Sequence, residues 1–203
     1  MSVKLIEETE EIIEDCRKKG IPTIFTDGAC KKNNKPGLQL GGWGFIVYDS
    51  DGYSIKERNG FKIKTTNNEM EIKALLEALY YINKNNNEYN KEFAIFTDSM
   101  YIMKTLFKNS SIDNNTSFIG DYNGNKGKYN GWIAKWVKEN FAKKKNVNLW
   151  KRVLKTTKDI VENNSGDICI YFYHVRAHSG IDGNEKADEL ANNAISKFFQ
   201  KYE

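Results

Sequence analysis

The sequence predicts an α/β fold, a five-stranded mixed sheet flanked by helices. Three observations predict it. Apolar residues alternate with period two in some segments and recur every three to four residues in others, and the segments come in the order βββαβα…βα. Two of the strands close on the same text, an apolar run followed by Thr-Asp, at 24–27 and at 95–98. The length of 203 residues is enough for one such domain with a sizeable core and marginal for two.

Residues 3–19 read as an amphipathic helix, with Val3, Ile6, Ile13 and Cys16 near helical spacing. Acids fill its first part, and Arg17, Lys18 and Lys19 its end, as the helix dipole prefers. Gly20 and Pro22 stop it. Residues 1–20 are therefore expected to be a short helical extension of a domain over 21–200. Residues 23–30 read as a strand ending in a turn at Asp27-Gly28, and 31–41 as a polar loop. Residues 42–48 and 53–64 are two more strands around a hairpin turn at Asp51-Gly52. Thr66-Asn67-Asn68-Glu69 has the form of a capping box. It opens a helix with Met70, Ala74, Leu75, Ala78, Leu79 and Ile82 on one face. A short strand over 93–97 and a helix over 99–107 follow. Residues 108–131, rich in Asn, Ser and Gly without apolar period, read as a long loop insertion. Helices over 132–141 and 149–161 are joined by Lys143-Lys144-Lys145, and 168–174 is the fifth strand. Asp182-Gly183-Asn184-Glu185 reads as a second capping box, starting a last helix through Ala187, Leu190, Ala191, Ala194 and Ile195.

Composition narrows the function classes. With 39% hydrophobic residues and no apolar run near the roughly 20 that a membrane span needs, no membrane association is expected. The N-terminus has no signal-peptide core. Cys16, Cys30 and Cys169 are far apart and odd in number, so free thiols and an intracellular location, cytoplasmic or nuclear, are expected. The net charge of +4 is unevenly spread: residues 126–158 carry eleven Lys/Arg and one acid, Glu139, leaving the rest of the chain net negative. Such a block suits a polyanionic partner, and equally a solvated helix face.

Asp27 and Asp98 end the two Thr-Asp strands. If those strands are adjacent and parallel, both carboxylates emerge at one sheet edge, an arrangement that calls for a neutralising hard cation such as Mg²⁺. Singly, Asp27 is an ordinary turn residue and Asp98 an ordinary helix cap. Glu69 is accounted for by the capping box, but Glu71 is not, and it can point at the same edge. Asp188 lies six residues into the last helix, where a solvated acid is the plain reading.

Thr26-Asp27-Gly28-Ala29-Cys30, Thr65-Thr66-Asn67-Asn68 with Met70-Glu71, Thr97-Asp98-Ser99-Met100-Tyr101, and His178-Ser179-Gly180 with Gly183-Asn184-Glu185, Ala187 and Asp188 together resemble the type 1 ribonuclease H family, in the family's order and over roughly 21–200. The resemblance implies the ribonuclease H-like fold. It implies hydrolysis of the RNA strand of an RNA–DNA hybrid duplex by two-metal-ion catalysis, giving 5′-phosphate and 3′-hydroxyl ends. By the same likeness Asp27, Glu71, Asp98 and Asp188 match the ligands of two Mg²⁺ ions, with Mn²⁺ a substitute. His178 matches a histidine on a mobile loop that assists proton transfer or product release, whereas His174 reads as structural. Asn33, Asn67 and Asn68 match positions that read 2′-hydroxyls. Thr66 matches a DNA-phosphate contact, and Tyr101, Trp132 and Trp136 an aromatic channel against deoxyribose. Lys143, Lys144 and Lys145 sit in the stretch that matches a basic handle for the duplex backbone. Asp182 is expected near His178. The first 20 residues are too few for a separate hybrid-binding domain, so a monomer of low processivity is expected. The contrasting readings are a catalytically silent duplex binder, the corresponding domain of a reverse transcriptase, and a DNA-cutting relative. The four acids argue against the first. The Met1 start argues mildly against the second, and the Asn-rich motif argues against the third.

Overall fold

The computed structural model describes residues 2–32, 39–86, 91–107, 117–122, 125–127, 131–164 and 167–202. The elements in chain order are α1 (Ser2–Lys18), β1 (Thr23–Lys32), β2 (Gln39–Tyr48), β3 (Ser54–Ile63), α2 (Asn67–Asn85), β4 (Glu92–Thr97), α3 (Met100–Leu106), β5 (Ser117–Tyr122), β6 (Asn125–Gly127), α4 (Trp132–Lys138), α5 (Val147–Asn163), β7 (Cys169–His174) and α6 (Asp182–Tyr202). One sheet runs in the order β3-β2-β1-β4-β7-β5-β6. β2 is antiparallel to β1 and β3, while β4 is parallel to both β1 and β7. The five expected strands are β1 to β4 and β7, in a mixed sheet. Two short strands extend it from the segment read as a loop: β5 pairs antiparallel with β7, and β6 with β5. Their sequences, SFIGDY and NKG, carry little alternation. The edge of β7 makes β5 a strand, a distant partner that leaves no local signature, and β6 then pairs with β5.

Successive strand residues face opposite sides, and the two sides fill two cores. Ile24, Phe45, Val47, Ile95, Ile170 and Phe172 meet Leu75 and Leu79 of α2, Met103 of α3, Ile133 of α4 and Trp150 of α5. Phe25, Ile46, Ala94, Phe96 and Tyr173 form the other side with Cys16 of α1 and Ala187 and Leu190 of α6. Ile12 and Ile13 also pack there, so α1 shares that face of the sheet with α6. Burial pushes the Cys16 thiol up to about 11. All three cysteines are free.

Two close approaches set where the helices sit. A Cβ on Gly28 of β1 would lie 2.3 Å from the Glu71 amide nitrogen, so only glycine lets the start of α2 come down on that strand. On the opposite face, a Cβ on Gly44 of β2 would lie 2.7 Å from the Ala187 carbonyl oxygen of α6. Gly44 is the register partner of Asp27. The small residues thus seat the start of α2 on β1 and the second turn of α6 on the β2 residue paired with Asp27.

Candidate active site

The repeated Ile-Phe-Thr-Asp text is a repeated structure. β1 and β4 pair in parallel with Ile24 opposite Ile95, Phe25 opposite Phe96 and Thr26 opposite Thr97. Asp27 and Asp98 therefore leave the paired region side by side. One expectation is corrected: Asp27-Gly28 is not a turn. β1 continues to Lys32 because β2 stays paired with it beyond the point where β4 ends. The cap of α3 is Ser99 and not Asp98, since the side chain of Ser99 accepts from the Ile102 amide at 3.3 Å.

Asp27, Glu71 and Asp98 offer carboxylate oxygens that lie within 4.8 Å of one another. Asp27 and Glu71 are buried, 7% and 6% exposed. Asp188 comes from α6 and is close enough to Asp27 for its charge to act there. Burial pushes the Asp27 carboxyl up to about 8, helped by the charges of Asp98 and Asp188 and opposed by the Gly28 amide. Glu71 is also raised well above the usual carboxylate range, by burial first and then by Asp27 and Asp98. Burial raises Asp98, while the Asn184 amide and His174 pull it down. Like charges packed this closely are unfavourable without a cation. Glu71 Oε2 is buried with no hydrogen-bond partner. A buried lone pair without a donor, beside two other carboxylates, fits a hard oxygen-liganded cation.

Glu69 has the separate role that the sequence assigns it, but a different one in detail. Thr66 caps α2 and accepts from the Glu69 amide at 3.3 Å. The Glu69 carboxylate does not complete a box on the cap backbone. It accepts from the Thr65 hydroxyl at 2.8 Å and from the Lys62 ammonium on β3. The second expected box is corrected too. Asp182 is the first helical residue of α6, and the Glu185 carboxylate reaches back to the Gly180 amide at 3.3 Å. The difference arises because the entry to α6 is fixed by Ile181, whose carbonyl accepts from the amides of Asn184 and Glu185.

His178 stands on this entry, 78% exposed, with a left-handed backbone (φ 50°) ahead of Gly180 at φ 82°. Its acidic neighbour is Glu185, 4.0 Å from Nδ1, rather than Asp182. His174 Nε2 lies 3.1 Å from the Asp98 carbonyl oxygen, as a structural histidine would. Burial lowers its proton affinity.

The other candidates fall into two groups. Thr66, Asn67 and Asn68 are exposed at the start of α2, beside Glu71. Asn67 also donates to Glu71 Oε1 at 3.0 Å, a second duty that the sequence did not suggest. Asn33 lies outside the described residues, as does most of 108–131. Farther off, Trp132 and Trp136 share a face of α4 with ring centroids 6.3 Å apart. Trp136 meets Trp150 edge-on, and the Trp150 indole donates to the Tyr101 hydroxyl at 3.1 Å. Trp132 is 48% exposed, while Trp136 and Tyr101 are partly buried against the core. The three lysines are not equivalent. Lys144 lies over the Trp136 ring at 5.9 Å and 3.7 Å from Glu139, while Lys143 and Lys145 are exposed.

Ser99, Asn184 and Asn192 were not singled out from the sequence as site residues. Asn184 is buried, donates to Asp98 at 3.5 Å and leaves its Oδ1 unpaired. It lies inside the His178–Asp188 motif, so its place there was the available signal. Asn192 donates to Asp188 Oδ1 at 2.7 Å, and the signal was its position one helical turn after that acid.

Converging acids at the ends of parallel strands, on a mixed sheet with helices on both faces, define a carboxylate site built to hold divalent metal. The RNase H family profile matches residues 19–196, and the chain belongs to the ribonuclease H family, whose members use a divalent metal; it is a ribonuclease H enzyme. A ribonuclease H of Chlorobium luteolum is 32% identical over 180 residues, covering 86% of this chain and 95% of that protein. Among solved structures, LC9-RNase H1, a type 1 RNase H with the type 2 active-site motif, superposes with a TM-score of 0.62 at 21% identity, over 88% of this chain and 73% of that one. LC11-RNase H1 in complex with an RNA/DNA hybrid gives 0.51 at 22% identity, over 88% and 99%. No helix among the described residues is long and apolar enough to cross a membrane.

Proposed function

We propose that this ribonuclease H cuts the RNA strand of an RNA–DNA hybrid endonucleolytically at the Asp27, Glu71, Asp98 and Asp188 cluster, leaving 5′-phosphate and 3′-hydroxyl ends. The observation that carries the metal site is the convergence of three carboxylates within 4.8 Å, with one buried oxygen of Glu71 left without a donor. These acids would hold two Mg²⁺ ions, for which Mn²⁺ would substitute, and the metal would supply activation of the attacking water and stabilisation of the leaving oxygen. Asp27, with Glu71, Asp98 and Asp188, would be among the residues that hold these ions. His178 takes or gives a proton from its exposed entry to α6, the act of a general acid–base side chain.

Substrate choice rests on the start of α2. Exposed Asn67 and Asn68, with Asn33, offer amides to 2′-hydroxyls of the strand at the metals. Thr66 takes a phosphate of the DNA strand. Tyr101, Trp132 and Trp136 pack against its sugars, and Lys143, Lys144 and Lys145 follow the duplex backbone. The catalytic domain occupies 21–200 with 108–131 as an insertion, and the enzyme works as a monomer inside the cell, a setting in keeping with three free thiols. The test is cleavage of labelled RNA–DNA, RNA–RNA and DNA–DNA duplexes with Mg²⁺ and with excess chelator. Cutting of the RNA strand of the hybrid alone, only with metal, is expected. Equal cutting of DNA–DNA, or cutting in chelator, contradicts the proposal.

A further inference from the structure

Each carboxylate of the cluster receives an uncharged N–H donor. The Gly28 amide lies 2.6 Å from Asp27 Oδ1, and Asn67 Nδ2 lies 3.0 Å from Glu71 Oε1. Asn184 Nδ2 lies 3.5 Å from Asp98 Oδ2, and Asn192 Nδ2 2.7 Å from Asp188 Oδ1. The described ion pairs leave all four acids out: Lys73 goes to Glu77, and Lys186 to Glu189. The first three donors sit within the family motifs. Asn192 does not. We propose that Asn192 is a positioning residue that holds the Asp188 carboxylate turned toward Asp27, so that the fourth ligand is preset before metal arrives. This rests on the two-metal reading above.

The need for such a device follows from the geometry. Asp188 is less deeply set than Asp27 and Glu71, on a helix facing a cluster of like charges. Without a cation, repulsion favours the side-chain rotamer that turns the carboxylate out to solvent. α6 is held in place by burial of Ala187, Leu190, Ala191, Ala194 and Ile195 against the sheet. The freedom left is rotation of the Asp188 side chain. Asn192, four residues on and on the same helix face, removes it. The same Nδ2 also lies 3.0 Å from the Asp188 carbonyl oxygen, which fixes the amide in turn. A neutral donor suits this task where an ammonium does not. It orients one oxygen and leaves the negative charge that attracts the metal undiminished.

The test is calorimetric titration of Mn²⁺ into the metal-free full chain, with melting temperature measured alongside. Asn192→Ala should weaken Mn²⁺ binding about tenfold, the low end for loss of a partner that orients a metal ligand. Asn192→Gln, still in reach at this spacing, should restore most of it. Asn192→Lys should weaken binding more than alanine does, because it neutralises Asp188. Metal-free melting temperatures should stay close to that of the parent. Asp27→Asn is the control for the underlying reading. Full Mn²⁺ affinity in Asn192→Ala, with binding lost in Asp27→Asn, overturns the role of Asn192 alone. Full affinity in Asp27→Asn overturns the metal site itself. A Gln variant as weak as Ala also counts against positioning by the amide.

Discussion

The carboxylate cluster and the basic turn between α4 and α5 are built on opposite terms. Each acid of the cluster is delivered by an element whose place is fixed by burial: two paired strands, a helix seated on Gly28 and a helix seated on Gly44. The basic turn projects outward. Asn140, Phe141, Lys143 and Asn146 all have left-handed backbones there, and the buried Phe141 ring ties the turn down. Its lysines end in solvent or on partners of their own. The cluster tolerates like charges because the fold leaves them no alternative place. The turn spreads like charges apart. Loss of one group should therefore be close to all-or-none in the first region and graded in the second.

The comparison is tested most severely at Asp27. Asp27→Asn should abolish measurable cleavage and metal binding together, while the protein stays folded. Asp27 also makes stability depend on pH. Its carboxyl, at about 8 in the folded chain against an ordinary 3.8, holds its proton more tightly when folded. That contribution is fully present below the unfolded value and is lost as pH rises toward and through 8. The metal-free protein should thus melt at a lower temperature at pH 9 than at pH 5. Asp27→Asn should flatten the difference, and metal added at high pH should reverse it. A metal-free melting temperature that rises between pH 5 and 9 would contradict the crowded-carboxylate account.

A finer cut separates two acids of one helix turn. Glu71→Gln should remove nearly all activity. Glu69→Gln should keep it, at a stability cost of about 0.2–1 kcal/mol for the partly exposed contact with Lys62. Activity lost in Glu69→Gln and kept in Glu71→Gln would reverse the assignment. His178 should fall between the regions, being exposed on the entry to the helix that carries Asp188. His178→Ala should lower turnover by about one to two orders of magnitude, within the usual range of an acid–base group. Its Mg²⁺ affinity, measured calorimetrically, should not change; a large loss would make the histidine a ligand.

The smallest effects belong to the turn. Neutralising Lys143 and Lys145 should reduce the slope of log affinity for hybrid against log salt by about 0.9 for each phosphate that is no longer neutralised. Neutralising Lys144 alone should do less, since Glu139 and the Trp136 ring already engage it. Turnover at saturating substrate should hold. Equal effects from all three would mean that Lys144 leaves Glu139 and the Trp136 ring when the duplex binds.

By itself, the sequence determined what is written locally. Strand and helix periods survive in the fold because burial on one face imposes them on adjacent residues. The repeated Ile-Phe-Thr-Asp text became a paired register because two identical strands present identical faces. The Thr66 cap was legible for the same reason, since a cap and its amide are three residues apart. What tertiary structure decided lies between segments far apart in the chain. Asp27 looked like a turn residue because the partner that keeps β1 extended, β2, is not visible at that point of the sequence. β5 looked like loop because the edge of β7 that makes it a strand is some fifty residues away, and β6 pairs only with β5. Glu71 and Asp188 reach Asp27 only because glycines on two strands let two helices approach from opposite faces. Such contacts are set by where backbones can touch, and no stretch of neighbouring residues encodes that.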